Sequence, residues 1–97
     1  MRLQILDSAL EDLDRGRVFY ERQGEGLGVY FLDSLFAEID SLVLYAGIHR
    51  KDFGFHRLIA RRFPYGVYYR LDDDDVVVVW RVLDLRRSPS WVQKKLS

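Results

Sequence analysis

Apolar positions along this chain repeat with two different periods, and the change of period divides it. Residues 2–6 alternate, Leu3 and Ile5 against Arg2 and Gln4, which is the two-residue repeat of a short strand. Asp7 and Ser8 offer a helix start. Ser8-Ala9-Leu10-Glu11 matches a capping box, in which hydroxyl and carboxylate satisfy free N–H groups reciprocally. Ala9, Leu10, Leu13, Gly16 and Tyr20 follow at helical spacing. Gly24, Gly26 and Gly28 mark a break. A longer helix follows, with Phe31, Leu32, Leu35, Ile39, Leu42 and Ala46 on one face, Asp33, Glu38 and Asp40 on the other, and Gly47 as its C-terminal cap. Two helices joined by so short a turn are expected to pack antiparallel.

After residue 53 the repeat shortens. Residues 55–63 are mixed and strand-compatible, and Pro64 separates them from Tyr65-Gly66-Val67-Tyr68-Tyr69-Arg70-Leu71. Asp72-Asp73-Asp74-Asp75 reads as a turn, and Val76 to Leu83 as the returning strand of an antiparallel hairpin. The run Val76-Val77-Val78-Val79 does not alternate, so that strand is expected to be central and covered on both faces. A tail from Asp84 to Ser97 holds one helical turn after Pro89. The expected fold is α+β, ordered β-α-α-β-β-β, a helical hairpin packed on an antiparallel sheet with a short C-terminal tail.

Length and composition narrow the picture. Ninety-seven residues, with 48% apolar and 31% charged, predict one domain spanning 1–97. There is no cysteine, which removes disulfides, thiolate metal sites and cysteine nucleophiles. No apolar run approaches the length of a membrane span and the N-terminus does not read as a signal peptide, so a cytoplasmic location is expected. The formal net charge is zero, but its distribution is uneven. Residues 1–48 carry four basic against nine acidic groups, a charge of −5, and residues 49–97 carry eleven against six, a charge of +5. Arginine dominates the basic half, with His56, Arg57, Arg61, Arg62, Arg70, Arg81, Arg86 and Arg87 on one sheet-and-tail unit. That side chain grips phosphate and carboxylate bidentately, so an anionic partner is expected.

The string Arg61-Arg62-Phe63-Pro64-Tyr65-Gly66-Val67-Tyr68-Tyr69-Arg70, an acidic turn, a valine strand and Val82-Leu83-Asp84-Leu85-Arg86-Arg87-Ser88-Pro89-Ser90-Trp91 resemble the RelE/ParE toxin superfamily. Ala9-Leu10-Glu11-Asp12-Leu13 and Phe31-Leu32-Asp33-Ser34-Leu35 fit the same pattern, so the likeness covers nearly the whole chain. The R-F-P-Y and R-R-x-P-x-W segments look more like the ParE branch. The resemblance implies a toxin of a type II toxin–antitoxin module, of the plasmid-stabilisation type, forming a hetero-oligomer with an adjacently encoded antitoxin. ParE relatives block DNA gyrase by binding. RelE relatives cut mRNA on the ribosome. A non-toxic interaction domain of the same fold is the third reading. Many relatives carry His where this chain has Asp84, which puts proton transfer at that position in doubt.

Cleavage through a 2′-hydroxyl needs a base, an acid and cations for the developing phosphorane charge. Arg57, Arg61, Arg81 and Arg86 could supply the cations and His56 could titrate, but the loop offers a single lysine, Lys51, and the tail offers Trp91, which does not titrate usefully. The set is incomplete for a nuclease and leaves binding as the leading expectation, with Arg57, Arg61, Arg62, Arg70, Arg86, Arg87 and Trp91 meeting the target. Phe19, Tyr30, Phe36, Val43 and Tyr45 fall off the main helical stripes and are expected to meet the antitoxin. His49 and His56 have no metal-ligand pattern, the aspartate run lacks the spacing of a calcium loop, and Gly24-x-Gly26-x-Gly28 is not a dinucleotide fingerprint, so neither metal nor cofactor is expected. Tyr65 and Tyr69 share one strand face and Tyr68 takes the other, so at least one of them belongs to the core.

Overall fold

The computed structural model describes residues 1–97. It runs β1 (Arg2–Ile5), α1 (Asp7–Glu21), α2 (Leu27–Tyr45), β2 (Lys51–Asp52), β3 (Phe55–Ile59), β4 (Tyr65–Asp72), β5 (Val76–Asp84) and α3 (Pro89–Leu96). The strands form one sheet in the order β1-β5-β4-β3-β2, with the antiparallel helical hairpin α1–α2 on one face and α3 on the other. The α+β hairpin-on-sheet architecture is therefore as expected, but three details differ. The sheet is mixed, because β1 pairs with β5 in parallel register, Leu3 opposite Val77 and Ile5 opposite Val79. A fifth strand, β2, turns tightly into β3 through Phe53 and Gly54, both at positive φ. Two residues are too few to show a period. The tail carries a helix of eight residues, begun by Ser88, whose Oγ accepts from the Trp91 N–H, and by Pro89 in the first turn.

Local chemistry explains how the helices enter. The capping box is not used: α1 begins at Asp7 with no side-chain cap, and Ser8 Oγ instead donates to the Trp80 carbonyl. The chain arrives already held to β5 by the Leu6 N–H on the Val79 carbonyl, so direction is set by the sheet. Leu10, expected in the apolar stripe, faces solvent. Its place in the buried face is taken by Asp12. Glu21, at the end of α1, caps the next helix, accepting from the Gly28 N–H at 2.9 Å and the Gly26 N–H at 3.2 Å. Those bonds hold its carboxyl below the usual range, the Gly28 contact most. Gly47 follows α2 at φ +98°, as its capping role requires.

Two apolar layers result. Ala9, Leu13 and Tyr20 of α1 and Phe31, Leu35, Ile39 and Leu42 of α2 pack on Val67, Tyr69, Val77, Val79 and Val82. On the far face, Tyr68 and Leu83 meet Val92 and Leu96 of α3, with Phe55, Trp80, Leu85 and Trp91 around them. Covering on both faces explains the unbroken valine run of β5, which lies between β1 and β4 as expected. A bulge skips Trp80 in the register, Tyr68 pairing with Arg81 and Tyr69 with Val79. The extra residue puts Val79 and Val82 on the same side and turns Trp80 toward α3. Tyr65 and Tyr69 face the helices and Tyr68 faces α3, and all three are buried.

Candidate binding surfaces

The expected basic surface is broken up by ion pairs. Arg57 bonds Asp52 at 2.8 Å, Arg70 bonds Asp72 at 3.0 Å and stacks 4.7 Å over Trp80, and Arg61 reaches Glu38 of α2 at 3.3 Å. Arg86 makes a two-point contact with Asp84, Nε to Oδ1 at 3.0 Å and Nη2 to Oδ2 at 2.8 Å, while its own backbone N–H reaches Oδ1 as well. Burial alone would raise the Asp84 carboxyl, but these three donors hold it below its ordinary value. The same pairing raises the Arg86 guanidinium. Asp84 is thus an ion-pair acceptor, not a proton carrier.

Arg81, offered above as a cation for a phosphorane, is committed elsewhere. Its Nε and Nη2 each lie 2.7 Å from the Asp12 carboxylate, and its Nη1 donates to the Lys95 carbonyl at 2.9 Å. Asp12 also accepts from the Val82 N–H at 3.0 Å and is buried. The pair ties α1 to β5, and through Lys95 to the end of α3, where the Trp80 indole N–H takes the Leu96 carbonyl. Asp12 was not singled out from the sequence. The signal was there: it falls three residues after Ala9 and one before Leu13, inside the apolar stripe, where a carboxylate must find a partner.

The histidines also have structural work. His56 Nδ1 lies 2.7 Å from the His49 carbonyl, so it carries the proton, and its ring stacks on Tyr69. The Tyr69 hydroxyl accepts from the Gly47 N–H at 2.8 Å and lies 2.6 Å from His49 Nδ1. Tyr65 is pushed up to about 12, chiefly by burial. Each histidine thus has its Nδ1 engaged.

Three clefts collect the remaining side chains. The first, about 310 Å³, lies between α1, the outer half of β5 and α3, and holds Arg15, Phe19, Arg81, Arg87, Trp91 and Lys95 together with Asp12 and Asp84. The second, about 410 Å³, lies over α2, where Arg61 and Arg62 meet Tyr30, Asp33 and Glu38; the Arg62 guanidinium sits 5.9 Å from the Tyr30 ring. The third, about 250 Å³, joins Arg57 to Arg87 beside Tyr68 and Leu85. The predicted target residues therefore do not form one patch: Arg61 and Arg62 stand apart, beside the helical hairpin. Of the predicted antitoxin contacts, Phe19, Tyr30, Val43 and Tyr45 are exposed, whereas Phe36 is half-buried and packs against the core. Leu44 and Ile48, exposed by 78% and 74%, and Val29 and Leu71 add further apolar surface.

A family model for the ParE toxin of the type II toxin–antitoxin system parDE matches residues 3–89. The chain belongs to the ParE toxin family. Among solved structures, a chain of the chromosomal ParDE toxin–antitoxin system from P. aeruginosa is similar, with a TM-score of 0.79 over 88% of this chain and 96% of that one at 20% identity. That likeness establishes the fold. No curated protein gives a significant match. In this ParE-family chain the two most specific motifs carry structure. Phe63 and Tyr65 of R-F-P-Y sit in the core around Tyr20 and Phe31, with the Pro64 carbonyl taking the Leu85 N–H. Pro89 and Trp91 of R-R-x-P-x-W begin α3, and Arg87 lies 4.3 Å over the Trp91 ring. No helix is long and apolar enough to cross a membrane.

Proposed function

We propose that this protein is the toxin of a type II toxin–antitoxin pair, that it inhibits DNA gyrase by binding, and that a cognate antitoxin neutralises it by covering exposed parts of the helical hairpin. The family match over residues 3–89 carries the reading. The state of the titratable groups supports binding over RNA cleavage: Asp84 is locked to Arg86, Arg81 to Asp12, and both histidine Nδ1 atoms are engaged. The antitoxin is the occupant that the apolar residues Tyr30, Val43, Leu44, Tyr45 and Ile48 call for, since side chains this exposed gain by being covered. The proposed setting is the cytoplasm, where gyrase works.

The test is expression alone and together with the adjacent small open reading frame. Growth arrest with the toxin alone, relief on co-expression, and loss of supercoiling by purified gyrase are the expected results. Cut mRNA in a translating extract, with supercoiling intact, replaces this reading with the nuclease one. Normal growth without any antitoxin replaces it with a plain interaction domain.

A further inference from the structure

The cleft between α1, the outer half of β5 and α3 has an excess of unmatched positive charge. Its two carboxylates are already saturated: Asp12 by Arg81, the Val82 N–H and Arg15, and Asp84 by three donors from Arg86. Arg87 and Lys95 have no carboxylate partner. Both are instead held against Trp91, Arg87 at 4.3 Å and Lys95 at 5.7 Å from the ring centroid. Arg15 is a third available cation, since it is 66% exposed and its contacts with Asp12 and Glu11 are long, 3.5 and 3.9 Å. Cations held on an aromatic ring, with donors free, are placed to take an anion with little ordering cost.

The surroundings select the anion. Phe19, Leu83 and Trp91 give the cleft an apolar wall, and its volume of about 310 Å³ lies at the small end of ligand sites, ~300–1,000 Å³. The α1 rim carries exposed Glu11, whose charge reaches Arg81. A nucleic-acid strand brings a regular row of phosphates and would run its charge against that rim. A short stretch of polypeptide places one or two carboxylates on the cations and an apolar side chain on the wall. The Trp91 ring, already covered by Arg87, is also not free to stack on a base. We propose that this cleft is the target-engaging site, and that it takes an extended segment of a partner protein in which carboxylates flank an apolar residue. The assignment rests on the toxin reading above and adds to it the surface and the chemistry of the partner.

The test uses the full chain with Arg87→Glu and Lys95→Glu together, and a milder pair, Arg87→Gln with Lys95→Gln. Both side chains are exposed, so thermal unfolding and co-purification with the antitoxin are expected to be unchanged. Expressed without antitoxin, the charge-reversed protein is expected to lose growth arrest, and the purified protein to need at least about tenfold more to inhibit gyrase, with the Gln pair between. A fluorescent peptide of alternating Asp and Leu is the direct probe. It is expected to bind the unaltered protein in a salt-sensitive way and to be released by either variant. Full arrest by the charge-reversed protein overturns the site. So does a peptide that binds both proteins equally, or one displaced by a single-stranded oligonucleotide of the same length. An unaltered protein that arrests growth without touching gyrase removes the gyrase reading and leaves the cleft to be judged by the variants and the peptide.

Discussion

At the residue scale, the most consequential contact is the Asp12–Arg81 pair, with side chains 6% and 16% exposed. Breaking such a pair from one side strands a charge, which costs about 3–5 kcal/mol when the site is fully buried, and the lower end applies to a guanidinium that still reaches solvent. Arg81→Ala is expected to lower unfolding free energy by about 3 kcal/mol in urea titration. Asp12→Leu with Arg81→Met, which removes both charges, is expected to recover most of that loss; a double variant as unstable as the single one argues against the pair as the cause. His49 makes a second residue-scale statement. Burial lowers its imidazole, the charge on nearby His56 lowers it further, and Glu38 opposes both. The 2.6 Å contact of Nδ1 with the Tyr69 hydroxyl lets the neutral ring accept the hydroxyl proton. The folded state thus prefers the neutral ring, and the unfolded chain binds the proton at higher pH. The contribution is present above the ordinary imidazole value of about 6.5 and is lost as pH falls through it toward the folded value. Stability is expected to drop more steeply between about pH 7.5 and about pH 5 in the unaltered protein than in His49→Gln, by denaturation at each pH. Parallel slopes would remove His49 from the account.

At the element scale, the helical hairpin depends on close approach at two glycines. A Cβ on Gly16 would stand 2.4 Å from the Phe31 ring, whose side chain is fully buried and edge-on to Phe63 and Tyr65. Ala is the better helix former by about 1 kcal/mol, but overpacking a filled core costs about 1–3 kcal/mol. Gly16→Ala is therefore expected to lower the unfolding midpoint, and Gly16→Ala with Phe31→Leu to restore part of it; a midpoint that rises in the single variant refutes the clash. The approach at Gly28, where a Cβ would meet the Arg17 carbonyl at 2.8 Å, brings Glu21 onto the start of α2. These contacts mark the limit of what was legible. Periodicity located α1 and α2 because each buries a continuous stripe, strand-forming residues on either side of the aspartate turn located β4 and β5, and the aromatic strand faces came out correctly for Tyr65, Tyr68 and Tyr69. It missed β2, which has two residues and no period, and the parallel pairing of β1, which is a long-range choice. The Ser8 cap failed because tertiary contact with the Trp80 carbonyl outcompeted a local bond. The basic cluster looked continuous because the sequence shows arginines but not their partners: Glu38, Asp52 and Asp12 come from other elements.

At the scale of the whole molecule, the division of charge between halves does not become a division between surfaces. Arg81 crosses to α1 and Arg61 to α2, so the acidic hairpin and the basic sheet are joined by the charges that set them apart. Arg87 and Lys95 beside α3 are left without a carboxylate partner, and apolar side chains stand exposed at the two ends of the hairpin. Tyr30 and Val43 lie thirteen residues apart on one helix, ~20 Å at 1.5 Å per residue, so the two ends are separate contacts for any one segment. The end formed by Val43, Leu44, Tyr45 and Ile48 exposes the most apolar side chains. Covering a Leu or Ile side chain is worth about 1.5–3 kcal/mol, so two of them contribute about 3–6 kcal/mol to a complex, or at least about a hundredfold in affinity. Leu44→Asp with Ile48→Asp removes that gain and places charge where an apolar partner sits. Neither residue packs in the core, so folding is expected to be retained. On the proposed reading, the double variant is expected to lose the antitoxin on co-purification and to arrest growth even when the antitoxin is co-expressed. Arg87→Glu with Lys95→Glu is expected to do the reverse, keeping the antitoxin and losing arrest. If one pair of substitutions abolishes both properties in protein that still unfolds at the normal midpoint, the antitoxin and the target share a surface, and neutralisation is direct competition for it.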